Sequence, residues 1–413
     1  MTGARPRRSE IAVTGLGLVT PAGLDTAATW EGVCTGVATA ARDPQLDALP
    51  VDFSCRVPGY DPATMCPGPR AWQYDRHCQL ALTAARQAVT DAGLDLAALD
   101  RDRVAVVLGT GLGGITALLT QYDRYLADGA AAVSPLLMPQ YLPNMAAAQV
   151  ALHLRARGPV LATATACATG ATAIGTAWDL LRSGACDIAI AGGTEAGIHP
   201  LTVTGFHQMG ALSTRRADPA AASRPFDSER DGFVIGEAAA VLVLEPAAAA
   251  RYRGQPGYAL LAGYGNTDDA HHPVAPDPDG QGLERAVHRA LTGAHATPDE
   301  VDHVNAHGTG TRQNDAVEAA LIHRIYPRRP SVTAPKGATG HTLGAAGAVE
   351  AALTALTVFH AKVPPVANLT AQGPDTDQID AVTTTVREQR VQLAVSHSSG
   401  FGGHNTALAF RPL

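Results

Sequence analysis

The run Val160-Leu161-Ala162-Thr163-Ala164-Thr165-Ala166-Cys167-Ala168-Thr169-Gly170, continued by Ala171-Thr172-Ala173-Ile174-Gly175-Thr176-Ala177-Trp178, leaves few folds open. It reads as a short buried strand, a sharp turn, and a helix with Ala, Thr and Gly on every side. Such a helix has no solvent face and belongs at the centre of a large core. Cys167 falls at its N-terminus, where unpaired backbone N–H groups and the helix dipole favour negative charge and lower a thiol's pKa. Free cysteine is also among the most buried residue types, so a structural thiol is the competing reading. The histidines described below decide between the two.

The 413 residues suffice for a large core or two fused ones. With 46% hydrophobic and only 17% charged residues, the interior is aliphatic and Ala-rich, and the chain is not disordered. A net charge of −7 argues against a nucleic-acid partner. The six cysteines (Cys34, Cys55, Cys66, Cys78, Cys167, Cys186) contain no CxxC pair, which points to reduced thiols and a cytoplasmic protein. Arg5, Arg7 and Arg8 precede Ile11–Gly17, which is broken by glycine and reads as a first strand, not a signal-peptide core. No run approaches the roughly 18 apolar residues of a membrane span, so no membrane partner is expected.

Apolar strands alternate with helices along the chain. Strands are expected at 11–19, 104–108, 187–193, 239–244, 258–265, 301–305 and 392–396. Helices are expected at 26–36, 74–92, 115–126, 282–293 and 344–359, with a helix or loop at 204–212. Residues 42–70, rich in Pro and Asp, read as a long surface excursion. A break near 245–257 divides the chain into halves of residues 1–250 and 251–413. Two α/β halves sharing one core, with mostly parallel sheets, explain this order. Gly109-Thr110-Gly111-Leu112-Gly113-Gly114 matches G-x-G-x-x-G, but no second strand follows before Pro135, so a tight turn is favoured over nicotinamide binding.

Three stretches in the second half place polar residues beside glycines. They are Asn305-Ala306-His307-Gly308-Thr309-Gly310-Thr311 with Asn314-Asp315, Pro335-Lys336 through Thr339-Gly340-His341 to Glu350, and Ser396-His397-Ser398-Ser399-Gly400-Phe401-Gly402-Gly403-His404-Asn405. Glycines let backbone N–H groups approach a substrate closely, as an oxyanion hole requires. Of the other histidines, His77, His153, His199, His207, His288, His295, His323 and His360 sit in surface-like or helical contexts and read as ordinary. His303 and His307 have zinc-ligand spacing, but Val304 stands where the motif needs Glu and the segment reads as strand, so no metal is expected.

Taken together, Thr165–Gly170, Asn305–Thr309, Lys336 with Thr339-Gly340-His341, and Gly400–Gly403 resemble the elongating β-ketoacyl-acyl-carrier-protein synthases. The likeness is greatest to synthase II and the ketosynthase subunits of type II polyketide systems, and it spans nearly the whole chain. The resemblance implies an α/β thiolase fold: two similar halves with mostly parallel five-stranded sheets in a layered αβαβα arrangement. It implies decarboxylative Claisen condensation with no cofactor, acyl carrier protein as partner, and a homodimer or a heterodimer with a chain-length-factor-like subunit. Cys167 would be the nucleophile, with His307 and His341, neutral and donating from Nε2, stabilising the enolate. Lys336 would orient the site near Glu350, with Thr309, Thr311 and Asp315 in support. Backbone groups of Cys167 and Phe401, in the Gly402 turn, would hold the oxyanion, and Phe401 would gate the acyl pocket. Leu112, Ala166 and Phe206 match pocket-lining positions.

The chain also departs from the pattern. Gly310, Arg312, Ala238 and Ala240 replace a serine, a proline and two glycines, and Ser396-His397-Ser398-Ser399 replaces an Asn-Ser-Phe approach. These changes suggest a specialised pathway enzyme; the His404-Asn405 ending leans towards polyketide ketosynthases and Thr165–Gly170 towards fatty-acid synthase II, and a ketosynthase for a reduced or polyene-like chain fits both. The alternatives are a housekeeping fatty-acid synthase II and a non-catalytic chain-length-factor-like subunit, which lacks the nucleophile. A thiolase needs a second, C-terminal cysteine, and none follows Cys186. An initiating synthase has Asn at the position of His341.

Overall fold

Alternate residues of the apolar runs face opposite sides of the sheet, which is why the runs are unbroken. In β2 (Val104–Gly109), Ala105 and Val107 join the central apolar cluster, while Val104, Val106 and Leu108 join an outer one. The computed structural model describes residues 10–413 apart from Pro67, Pro69, Leu96 and Pro256. The Arg5–Arg8 segment lies outside the described residues.

The first half contains β1 (Ile11–Val19), α1 (Arg76–Asp91), β2, α2 (Ile115–Asp128), α3 (Met145–Leu154) and β3 (Val160–Leu161). It continues with α4 (Thr169–Ser183), β4 (Ile188–Glu195), α5 (Pro200–Gln208) and β5 (Ala238–Pro246). The second contains β6 (Ala259–Asp268), α6 (Gln281–Gly293), β7 (His303–Asn305), α7 (Arg312–Ile325), β8 (Ser331–Thr333) and α8 (Ala346–His360). It ends with β9 (Asp380–Ala381), β10 (Ala394–Gly400) and β11 (His404–Arg411). The sheet order is β9-β8-β7-β10-β11-β6-β1-β5-β4-β2-β3. The halves meet where Ile11–Val13 of β1 pairs with β6.

The sheet is mixed, not mostly parallel. β3, β2 and β4 run parallel, as do β10, β7, β8 and β9, whereas the strands nearest the junction are antiparallel. Helices α4 and α8 lie together in the central cluster between the two half-sheets, and α1 and α3 cover one outer face while α6 and α7 cover the other. The result is an αβαβα stack. Small residues let the central helices touch: a Cβ on Gly170 would lie 2.6 Å from Ala348 N, and one on Gly347 would lie 2.9 Å from Ala171.

Several expectations are corrected. Val160 and Leu161 are exposed, because β3 is the last strand of the sheet and leaves an open edge. Residues 42–70 are no surface excursion, since Leu46, Val51, Phe53 and Cys55 are buried against Leu343 and Phe233. The helix expected near 204–212 runs earlier, over α5, and α3 and α7 had no sequence counterpart. His77 is fully buried, with Nδ1 2.7 Å from Asp75 and Nε2 3.3 Å from Cys78 Sγ. Leu343–His360 is by length and composition long enough to cross a membrane, but 89% of it is buried inside the protein as a core helix.

Candidate active site

Cys167 sits in a single 3₁₀ turn, Ala166–Ala168, immediately before α4. Ala166 has φ +48°, a left-handed conformation that only a well-braced turn holds. Thr169 braces it by donating to Ala166 O at 2.6 Å and accepting from Thr165 N at 2.9 Å. The sulfur is partly open to a cavity of about 400 Å³ that His307, His341, Phe206 and Phe401 also line. Enclosure by protein pushes the thiol up to about 12, against a lowering pull from Lys336 and with raising contributions from Glu195 and Glu350. Enclosure thus opposes the lowering expected of a thiol at a helix N-terminus.

His307 follows β7 and His341 follows the short helix Lys336–Thr339. Their rings stand edge to face with centroids 5.6 Å apart. Burial, then the Lys336 ammonium, holds both imidazoles well below their ordinary pKa, so both are neutral. Their tautomers follow from their neighbours. Leu343 N donates to His341 Nδ1 at 3.3 Å, and Lys336 Nζ lies 3.3 Å from His307 Nδ1 with only protons to offer. Each Nδ1 is therefore an acceptor and each Nε2 carries the proton, leaving two N–H donors.

Lys336 does not line the cavity; it stands behind His307. Its ammonium also donates to His307 O and Glu350 Oε1, so its three protons have three acceptors. Burial raises Glu350 to about 7 against the pull of Lys336. Thr309 and Thr311 line the mouth and bond to each other at 2.8 Å. Asp315 lies outside the lining residues. Its carboxylate accepts from Phe226 N at 2.8 Å and Gly310 N at 3.2 Å, tying the 224–232 segment to α7. Desolvation raises it to about 6.

Phe206, Phe233 and Phe401 make an aromatic wall, with Phe206 centroids 5.3 Å from Phe233 and 6.3 Å from Phe401. Gly402 cannot serve as an oxyanion donor, because its N–H already donates to Pro273 O at 2.8 Å. Leu112 and Ala166 are not lining residues. Leu112 packs in the apolar cluster beside Cys167 and Phe206, behind the wall. The G-x-G-x-x-G loop has its donors engaged: Thr110 Oγ1, Gly111 N and Leu112 N all converge on the buried Glu195. His303, weighed as a metal ligand, is buried with Nδ1 3.0 Å from Ser331 Oγ.

Sequence reading missed Glu318, which accepts from His307 N and Gly308 N at 2.8 Å each, and His397, which bonds Glu318. Recognising α7 as a helix would have exposed Glu318, one turn beyond Asp315. It also missed His272 on the cavity wall and gave no site role to Asp231 and Asn314, which line it too.

The family described as Beta-ketoacyl synthase, N-terminal domain, matches residues 8–250, and its C-terminal domain counterpart matches residues 258–370. The chain is 40% identical to 3-oxoacyl-[acyl-carrier-protein] synthase 2 of Synechocystis sp. over 99% of both chains. It is also 40% identical to the tetracenomycin polyketide synthase ketoacyl synthase alpha subunit of Streptomyces glaucescens, over 98% of this chain and 97% of that one. A solved ishigamide ketosynthase/chain length factor superposes with a TM-score of 0.92 at 31% identity, covering 98% of this chain and 100% of the other. A type II polyketide acyl-carrier protein in complex with its ketosynthase, AntDE:AntF, gives 0.91 at 29% identity over 99% and 100%.

Proposed function

The chain belongs to the β-ketoacyl synthase family, and on that premise we propose that it condenses malonyl-carrier protein with an acyl group held on Cys167. The observation that carries this reading is the meeting of one sulfur and two Nε2–H imidazoles on a single cavity.

Cys167 Sγ attacks the carbonyl of an acyl-carrier thioester. A new S–C bond forms, the carrier thiol leaves, and the proton lost by Cys167 ends on it. The N–H groups of Cys167 and Phe401 receive the transient oxyanion. Malonyl-carrier then binds, and loss of carbon dioxide leaves an enolate whose oxygen accepts from His307 and His341 Nε2–H. The enolate carbon attacks the Cys167 thioester, forming the carbon–carbon bond of a β-ketoacyl-carrier and breaking the C–S bond; the sulfur leaves as a thiolate and takes up a proton from water. Lys336 holds its charge at His307 Nδ1, so that ring stays a neutral donor. Phe401, against Phe206, gates the acyl pocket. Carbon dioxide release drives the bond-forming step, so the sequence of steps needs no cofactor.

The partners are an acyl carrier protein and a second subunit, either another copy or a chain-length-factor-like chain. Exposed Tyr122, Tyr125 and Leu126 on α2, and Val160 and Leu161 on the open edge strand, are apolar side chains that such a subunit would cover. The pathway reading is a type II polyketide ketosynthase for a reduced or polyene-like chain, acting in the cytoplasm. Residues 1–250 supply the nucleophile and residues 251–413 supply the His, His and Lys groups.

The test is to incubate the enzyme with acyl- and malonyl-carrier proteins. Wild-type enzyme should gain the acyl mass on Cys167, release carbon dioxide and form β-ketoacyl-carrier. An unlabelled Cys167 with intact malonyl-carrier would sink the reading.

A further inference from the structure

The turn that presents His307 is held by a carboxylate with a partner of its own. Glu318, buried on α7, takes His307 N on Oε1 and Gly308 N on Oε2, each at 2.8 Å. Gly308 has φ +38°, and a Cβ there would lie 2.6 Å from Ala334 Cβ, so the turn has little room to relax. Behind Glu318, His397 of β10 is fully buried. Its Nδ1 lies 3.2 Å from Glu318 Oε1 and its Nε2 lies 3.0 Å from Tyr326 OH. The Tyr326 and His397 rings are stacked, 6.1 Å apart at 19°. His397 is outside the cavity lining and touches no reacting atom.

We propose that His397 is a positioning residue for His307: by donating from Nδ1 to Glu318, it leaves both carboxylate oxygens free to accept the amides of the His307–Gly308 turn. The physical reason is desolvation. A fully buried carboxylate is driven towards its protonated form unless enough donors face it. Burial does raise Glu318, but the hydrogen bond from His397, with the two turn amides, brings it below the ordinary carboxylate value. Without His397, Glu318 takes up a proton. One oxygen then becomes a donor, and one of the two turn amides loses its acceptor. Lys336 holds the carbonyl end of His307 and Glu318 the amide end, so His397 completes a clamp on the residue's whole backbone. Tyr326 in turn fixes the ring so that Nδ1 faces Glu318.

This rests on His307 as the enolate partner, so the experiment separates the two ideas. Acylation of Cys167 by acyl-carrier and carbon dioxide release from malonyl-carrier are measured as separate half-reactions in wild type, His307→Ala, His397→Leu, His397→Asn and Tyr326→Phe. His397→Leu should slow decarboxylation about tenfold or more, the loss expected for one hydrogen bond to a charged group, and leave acylation within about twofold. His397→Asn, which can still donate to Glu318, should recover most of that loss. Tyr326→Phe should slow decarboxylation severalfold only, and it decides the matter if His397→Leu does not fold. If His307→Ala spares decarboxylation, the enolate reading fails. If His307→Ala stops decarboxylation but His397→Leu and Tyr326→Phe do not slow it, or if both half-reactions fall together with no rescue by Asn, the positioning role is overturned.

Discussion

The two halves of the molecule share one plan and divide the chemistry unequally. With the short edge strand β9 set aside and the others numbered by order within their own half, each half-sheet reads first, fifth, fourth, second, third: β1-β5-β4-β2-β3 and β6-β11-β10-β7-β8. In each half the third strand leads to a 3₁₀ turn opened by a residue of positive φ and followed by a 15-residue helix. These are Ala166–Ala168 before α4, and Leu343–Ala345 before α8. Ala166 has φ +48° and Leu343 has φ +46°. The middle position of the turn is Cys167 in one half and Gly344 in the other. On the proposed reading the first half thus presents the nucleophile. The second presents none there, but its longer approach, residues 334–342 against 162–165, carries Lys336 and His341. The two halves have matching central helices and differ in the segments leading into them. Sulfur chemistry and enolate chemistry can therefore fail separately.

Cys167→Ala gives the largest expected effect. Condensation should fall by at least about a thousandfold, because among the described residues Cys167 is the one thiol on the cavity wall. Carbon dioxide release from malonyl-carrier, which belongs to the second half, should persist. Mass spectrometry for acylation and a headspace assay for carbon dioxide read the two apart, and equal loss of both would merge the halves into one unit. Lys336→Met should do the reverse, lowering decarboxylation about a hundredfold and leaving acylation nearly intact. It also leaves Glu350 buried without its cation, which costs about 3–5 kcal/mol of stability by denaturant titration unless the carboxyl protonates.

A third comparison sets the helix terminus against enclosure. Enclosure raises Cys167 to about 12. A raised thiol pKa means less thiolate at any given pH, so the iodoacetamide alkylation rate should climb about tenfold per pH unit from 7 to 9, with no plateau. A plateau below pH 8 would mean that the N-terminal dipole of α4 dominates after all, as the sequence alone suggested.

How much was legible follows from the range of each signal. The strands were readable because both faces of each sheet are covered, giving unbroken apolar runs such as 104–108 and 239–244. The buried helix around Ile174 was readable because small residues leave it no polar side. The duplication was not, because it resides in strand order and in φ at Ala166 and Leu343, residues with no type in common. The two tautomers and the place of Lys336 behind His307 depend on contacts between separate segments that no local pattern encodes. His397 was seen only as a departure from a motif; its partner Glu318 lies 79 positions away. Residues 42–70 were misread because Pro and Asp suggest solvent, whereas Leu46, Val51 and Phe53 insert under the site.

The smallest expected effect tests the paired turns directly. If Gly344 is the counterpart of Cys167, its lack of a side chain needs a cause in the second half. The structure supplies one: a Cβ on Gly344 would lie 2.3 Å from Gly111 N and 2.8 Å from Glu195 Oε2. Gly344 N itself donates to Glu195 at 3.1 Å, alongside the amides of the 109–114 loop. The second turn therefore approaches the first half's glycine loop too closely for any methyl group. Gly344→Ala should lower stability by about 1–3 kcal/mol, the usual cost of overpacking, seen as a drop of a few degrees in the melting temperature. The control is Gly205→Ala on α5, where a Cβ would meet nothing within 4 Å. There the substitution should raise stability by about 0.5–1 kcal/mol through helix propensity alone. Melting shifts of the same sign and size at the two positions would remove the steric reason for the asymmetry, and Gly344 would then be a relic of the duplication and not a requirement of the site.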